Sequence, residues 1–506
     1  MSSSMPNGVL RAVAGTWIVV GALNALVDSS GLHAADFFVA VDGSPRGDGS
    51  NERPWDLPTA LARTKHVAAG DTVWLAEGTY GGAVECLLAG SAEKPIVVRA
   101  RSRQRAVIDC RAVNGRSGLF TIRGPDVRFQ DLEFTCSDTL RSSSQTGSFP
   151  TDVDRGGIHA AADRISLVNL IIHDVGVVGL WSQGESGEVY GCVIFNNGWR
   201  AADRGHGHGI YTQNVRGTKR LVDNVIFNQF GHGIHAYGSK KAVLEGYHIE
   251  GNILFNNGAA AGTGHRTVNL LVGGDQSADR ISVVENVSYH AGCDHTTVQL
   301  GYGPPSRRIE VRRNYFAGFV RCLPWEQATV LDNTFVAGSS MIELHAMPGF
   351  RSRYDWNRNT YFAEEKAFAP FAVLEAARRT SGRWNEWRAE TGFDADGSYV
   401  KGPARGRHVI VRPNRYEPGR AHVAVFNWDR APEVDVDLSG VLNSGERYRI
   451  VAAADVLGPP VKQGTYDGRP VTIPMRAGKA APPIGLSDAE LPGTEPEFGA
   501  YVVRRE

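Results

Sequence analysis

The sequence is short of cysteine, of net charge and of long apolar runs, and each shortage excludes a class of protein. Six cysteines (Cys86, Cys110, Cys136, Cys192, Cys293 and Cys322) in 506 residues are too few for a disulfide-held scaffold, and none forms the Cys-x-x-Cys pair of a zinc site. One or two bridges stay open, and the sequence does not pair them. Basic and acidic residues balance at 54 each, so the electrostatic footprint of a general nucleic-acid binder is missing and no nucleic-acid partner is expected. One apolar run stands out, at 12–27. It follows Arg11, is interrupted by Thr16 and Asn24, and is short for a membrane span. Polar Asp28-Ser-Ser-Gly31 and small Ala34 come after it, so 1–34 reads as an export signal. The expectation is a secreted or periplasmic monomer, free of the membrane once cleaved, that meets extracellular polymers rather than metabolites.

What the chain has in plenty is glycine (59), histidine (15) and tryptophan (10), a mixture suited to many tight turns carrying an aromatic, imidazole-rich surface. Between about 156 and 362 one phrase recurs: Asn169-Leu-Ile-Ile-His173, Cys192-Val-Ile-Phe-Asn196, Asn224-Val-Ile-Phe-Asn228, Asn252-Ile-Leu-Phe-Asn256, Asn286-Val-Ser-Tyr-His290, then Asn314, Asn333 and Asn359 with their aromatics. A second set of short strands opens on glycine: Gly157-Ile-His-Ala160, Gly179-Leu-Trp-Ser182, Gly209-Ile-Tyr-Thr212 and Gly233-Ile-His-Ala236. Two short strands per repeat without a helical period predict a parallel β-helix, whose coils bury their inward residues only by stacking. Asn224, Asn252, Asn286, Asn314 and Asn333 are assigned to scaffold. At a sharp bend Asn tolerates a left-handed backbone, and its amide can bond the copies above and below.

The open ends of such a solenoid need covers. A short helix is predicted from Asp56, with Pro58 in its first turn, and another near Ser381–Arg388 bearing Trp384 and Trp387. Beyond about 405, Val/Asp alternation as in Val434-Asp-Val-Asp-Leu438 predicts a small antiparallel β-sandwich. The domain reading is thus 1–34 signal peptide, 35–400 β-helix and 405–506 sandwich.

At this point the chain resembles a known family. Phe38-Val-Ala-Val-Asp-Gly-Ser, Gly47-Asp-Gly-Ser, Pro54-Trp and Gly70-Asp-Thr-Val-Trp-Leu-Ala-Glu-Gly-Thr-Tyr80, with the Asn-x-x-Phe-Asn coils, look like the opening and body of secreted right-handed parallel β-helix proteins of the pectin-lyase-like superfamily. The resemblance covers roughly 37–400. It implies the fold, while the superfamily spans lyases, glycosidases, epimerases and non-catalytic proteins, so function has to be argued from a site. The Gly-His-Gly at 207–209 is similar to a polygalacturonase motif, but that family's partner motifs are missing.

If Ile158, Leu180, Ile210 and Ile234 point inward, His159, Trp181, Tyr211 and His235 point outward in one column, with Gln183, Gln213 and Tyr237 two residues on and Gln299 further along. His208 and His232 should lie about 4.8 Å apart in successive coils. Aromatic faces and amides suit sugars. Insertions at 138–155, 199–207 and 259–266 would wall the groove. For β-elimination from an acidic glycan, Arg266 or a bound cation would neutralise the carboxylate, and His208, His235 or Tyr211 would exchange the proton. Hydrolysis would need two facing carboxyls, for which Asp203, Asp275, Asp294 and Glu343 are the candidates. A non-catalytic glycan-binding protein is the third reading. His208 and His232 could equally be turn residues bonded to backbone carbonyls. No metal or cofactor is assigned, although His206, His208 and His232 could hold an ion, and Asp152 and Asp154 could bind calcium without any defined spacing.

Overall fold

The computed structural model describes residues 34–506, apart from 103, 112–117, 155, 241, 263–266, 294, 364–368, 377, 477–479 and 488. The export-signal reading of 1–34 therefore falls almost wholly outside the described residues. Among the described residues no helix is long and apolar enough to cross a membrane.

Strands of two to seven residues recur in a fixed order and build three twelve-stranded sheets. In each coil the chain visits the first sheet, then the second, then the third, and strands pair in parallel with their counterparts one coil away, except for Arg378–Gly382 at the end of the third sheet, which runs antiparallel. Leu180–Ser182 of the third sheet, for example, pairs with Ile158–Ala160 on one side and Ile210–Thr212 on the other. This is a parallel β-helix. The period-2 alternation decides what it buries. Ile158, Leu180, Ile210 and Ile234 are at most 1% exposed and fill the cylinder, and their neighbours His159, Trp181, Tyr211 and His235 face out.

The turn from first to second sheet carries the asparagine ladder. The Oδ1 of Asn224 accepts from the Cys192 amide, that of Asn252 from Asn224, and so on through Asn286, Asn314, Asn333 and Asn359 at 2.8–3.1 Å. Asp394 ends the ladder, accepting from Asn359 Nδ2 at 2.9 Å. The left-handed residue is not the ladder asparagine, as expected, but the one before it: Asp223, Glu285, Arg313, Asp332 and Arg358 all have φ between 51° and 60°. That bend turns the following amide into the cylinder, where its bonds are shielded from water. Substituting Asn252 by Ala strips the Asn224 amide of its acceptor and the Leu221 carbonyl of its donor. The expected loss is about 3 kcal/mol from two stranded buried groups, read as a lower urea midpoint at unchanged slope. A shift worth under about 0.5 kcal/mol would remove the ladder's stabilising role.

Both end covers form. Helix α1 (Leu57–Ala62) is capped by Asp56, which accepts from the Thr59 amide, and buries Leu57, Ala60 and Leu61. Helix α2 (Trp384–Thr391) starts three residues later than expected, because Arg378–Gly382 first pairs as a strand against Phe371–Glu375. Its Trp387 stacks on Phe371 at 5.1 Å.

From Arg407 the chain makes a five-stranded antiparallel sheet and a two-stranded ribbon. Val423, Val425, Ile450, Tyr501 and Val503 face the ribbon residues Val434, Val436 and Ile473. The alternate residues Ala424, Phe426, Phe498, Ala500 and Val502 pack on the second sheet of the β-helix, whose outer face presents the Phe195, Phe227 and Phe255 stack and Tyr289. Arg412 ties the seam, reaching Asp223, Glu250 and Glu285. Ala35–Glu506 forms one compact unit.

Candidate functional site

The outward column of the third sheet runs Thr121, His159, Trp181, Tyr211, His235, Leu271, Gln299, Arg321, Glu343 in register. The expected aromatic stripe is therefore present from His159 to His235 and is then interrupted by Leu271. His159 stacks on Trp181 with centroids 4.3 Å apart, and its Nε2 lies 2.7 Å from exposed Gln183. Gln213 is buried rather than presented to a ligand, because its amide is spent on the Tyr237 carbonyl at 3.3 Å. Gln299 turns back to the Gly301 carbonyl.

One wall rises from the connections between second and third sheets, where the three expected insertions lean on one another. The Ser143 amide donates to the Arg200 carbonyl at 2.8 Å, and Arg200 Nε reaches the Ala260 carbonyl at 3.1 Å. Arg204 reaches Ser148, and the Gly147 amide reaches Asp203. The C-terminal segment backs this wall, with Leu486 packed on Phe230 and Ala260 and the Ile484 amide held by Asp174. Asp152 of the wall loop accepts from Ser143 and Ser144, and Asp154 from the Gly156 amide, so both carboxylates shape turns. On the opposite rim Tyr237 donates to Asp275 at 2.9 Å, beside exposed Tyr302.

Where wall meets floor, His208, His232 and His235 converge, their nearest ring nitrogens all within 4.8 Å. His208 and His232 stack at 5.1 Å and 13°, close to the coil spacing read from the sequence. Their partners are not the backbone carbonyls considered above but backbone amides. His208 Nδ1 accepts from the His232 N–H at 2.9 Å, and His232 Nδ1 from Val268 N–H at 3.0 Å. His208 Nε2 lies 3.1 Å from His235 Nδ1. Both ring nitrogens of His208 are thus committed, which places it behind His235 as a positioning residue and not in direct exchange with a substrate. Gly231 makes the approach possible, since a Cβ there would sit 2.6 Å from His208 Nδ1. Burial keeps all three rings neutral: His232 falls to about 4, and His208 and His235 fall well below the usual imidazole value, helped by one another's charge. Tyr237 is raised above an ordinary phenol by burial and then by Asp275, and Tyr211 by burial.

The carboxylates separate. Asp203 accepts from His206, which is stacked on Trp199; burial raises its pKa, but the His206 and Gly147 bonds outweigh that and hold it below the usual carboxylate value. Glu343 is likewise held low, against its burial, by His345 and Arg321, with Arg379 also in reach. Asp275 is exposed, and among the described residues no cation lies in ion-pair reach of it. Arg266 and Asp294 lie outside the described residues. Two groups were not found from sequence. Arg204, bonded to Ser148 and 3.9 Å from Asp203, sits in a loop with no pattern of its own, and its charge is a minor cause of the lowered imidazole pKa values. Lys219 lies inside the cylinder under the column, donating to Ser182 and the Gln213 carbonyl, and burial pulls its amine down to about 7. A lysine in a strand gives no sign of pointing inward.

A family model described as a right-handed β-helix region matches residues 85–254. No curated protein matches the chain. Among solved structures it is similar to the pectate lyase Pel9A (17% identity, covering 68% of this chain and 78% of that one, TM-score 0.39). It is also similar to a GH136 lacto-N-biosidase from Eubacterium ramulus (14% identity, 73% and 67%, TM-score 0.46). A third likeness is to a mannuronic acid specific family 6 polysaccharide lyase from human gut microbiota (12% identity, 67% and 91%, TM-score 0.36).

Proposed function

We propose that this protein is a carbohydrate-active enzyme, a polysaccharide lyase that cleaves an acidic glycan by β-elimination in the groove over the third sheet. The observation that carries this reading is the Tyr237–Asp275 pair set beside neutral imidazoles on an open aromatic floor. Elimination needs an acceptor for the proton next to the substrate carboxylate, groups that tolerate negative charge growing on that carboxylate, and a proton for the leaving oxygen. Asp275 takes the proton, with Tyr237 fixing its orientation. The electron pair moves onto the carboxylate, then forms the double bond as the C–O bond breaks. Tyr211, a phenol held neutral, returns a proton to the leaving oxygen. An export leader at 1–34 fits a polymer substrate outside the cell.

Hydrolysis is less well supported, since it calls for two carboxyls facing one bond and an environment that favours positive charge at the sugar ring. Asp203 and Glu343 are both spent on cationic or imidazole neighbours. The test is incubation with pectate, alginate and neutral glycans. Ultraviolet absorbance from unsaturated uronate ends, with an acidic polymer only, is the expected result. New reducing ends without that absorbance would replace the reading by hydrolysis, and binding without either would leave a glycan-binding protein.

Trp181 supplies a stacking face, and its outward position leaves the core untouched. Trp181→Ala should raise KM about tenfold, the value of one aromatic contact, with kcat within about twofold. An unchanged KM would take the sugar off this part of the column.

A further inference from the structure

The two backbone amides that reach into the imidazole cluster decide which ring nitrogens carry protons. A neutral imidazole whose Nδ1 accepts a hydrogen bond holds its proton on Nε2. That applies to His208, bonded at Nδ1 by the His232 amide, and to His232, bonded at Nδ1 by the Val268 amide. The His208 Nε2–H then points at His235 Nδ1, 3.1 Å away, so His235 also carries its proton on Nε2. A single tautomer runs through three rings. Protonating His235 at Nδ1 would set two N–H groups against each other, so the arrangement holds only while the rings are neutral.

The same geometry argues against a cation. A metal ligand needs a lone pair on the nitrogen facing the ion and, as a rule, a hydrogen on the other nitrogen to give away. Here the hydrogens sit on the Nε2 atoms, and the Nδ1 lone pairs are used by backbone amides at His208 and His232 and by the His208 ring at His235. Among the described residues no carboxylate or cysteine joins the three rings closely enough to share an ion. The Nε2 atoms of His232 and His235 make no bond to the described residues, and neither is sealed off from the groove.

We infer that His232 and His235, fixed as Nε2–H donors by the adjoining coils, form a metal-free anion site that grips the carboxylate of a uronic acid residue. Two neutral donors match the two oxygens of a carboxylate, and they bind it more tightly as charge builds on it. The catalytic use of this site rests on the elimination reading. The binding does not.

The test is a two-bond proton–nitrogen correlation of the histidine rings in the full chain near neutral pH, titrated with glucuronate, glucose and zinc. Expected are Nε2–H tautomers for His208, His232 and His235, shifts at His232 and His235 with glucuronate but not glucose, and no change with zinc. His235→Phe and His232→Phe keep a ring in the stack and should each weaken glucuronate binding about tenfold, the worth of one charge-assisted hydrogen bond. Nδ1–H tautomers, zinc displacing the ring protons, or equal shifts with glucose would overturn the inference. Glucuronate bound here with no unsaturated product from any acidic glycan would sink the lyase reading and leave the site standing. Turnover of an acidic glycan with glucuronate affinity untouched in both variants would do the reverse.

Discussion

Asp275→Asn should lower kcat by about 10²- to 10⁴-fold, the usual worth of a positioned general base, while leaving KM and the unfolding midpoint near their original values. The side chain is exposed, its one described bond is accepted from Tyr237, and the backbone amide of Asp275 is held separately by the Gly238 carbonyl. The amide substitution keeps shape and hydrogen bonding but removes the proton acceptor. Tyr237→Phe removes only the orienting bond and should cost about ten- to a hundredfold. The ordering matters. If Tyr237→Phe were the more damaging, the phenol itself would be exchanging the proton and Asp275 would be its support. If Asp275→Asn left kcat unchanged, the base would have to be sought at Tyr211.

Acidification should destabilise the fold at a pH where carboxylates are still ionised. His232 is held to about 4 by burial, and His290 and His422 to about 3, against an unfolded value near 6.5. The buried Nε2 atoms of His290 and His422 have no partner among the described residues, so a proton added there would be an uncompensated charge. Below about pH 6.5 the unfolded chain binds protons that the native state refuses, so stability is complete above that value and falls as pH drops toward 4. At one pKa unit per about 1.4 kcal/mol, each of these rings contributes on the order of several kcal/mol to the fall. His173 works in the other direction. Burial opposes its charge, but bonds to Asp174 and Glu133 outweigh burial and raise it to about 9, so its stabilisation is present below about 6.5 and fades as pH rises through 9. Urea unfolding at a series of pH values should therefore give a maximum near neutrality with the steeper loss on the acid side. Equal stability at pH 7 and pH 5 would mean that these rings are hydrated or partnered in the native state.

The architecture was legible in the sequence because repetition writes the same constraint many times. Each coil repeats a period-2 strand and an Asn at a bend, so Asn224 through Asn333 declare the ladder and Ile158, Leu180, Ile210 and Ile234 declare the inside. The site was legible only in outline. Leu271 occupies the rung after His235, yet Leu270-Leu-Val272 lacks the opening glycine and aromatic that marked the others. The imidazole pairing of His208 with His232 could be foreseen from spacing, but its chemistry could not. It hangs on the amides of His232 and Val268, and a backbone donor leaves no trace in residue identity. Gln213 failed for a related reason. Alternation gives the face a residue starts from, and a long amide can fold back onto the chain.

The antiparallel strands after Arg407 lie against the aromatic row of the second sheet, and this has a practical consequence for anyone shortening the gene. A polypeptide stopped near residue 405 would present Phe195, Phe227, Phe255 and Tyr289 to water as a continuous greasy ridge, and would leave Asp223, Glu250 and Glu285 without the Arg412 counter-ion. Such a fragment should precipitate on expression even though every coil of the solenoid is present. The tail behaves as a lid glued along the barrel's flank, and removing it uncovers a surface that was never made to be wet.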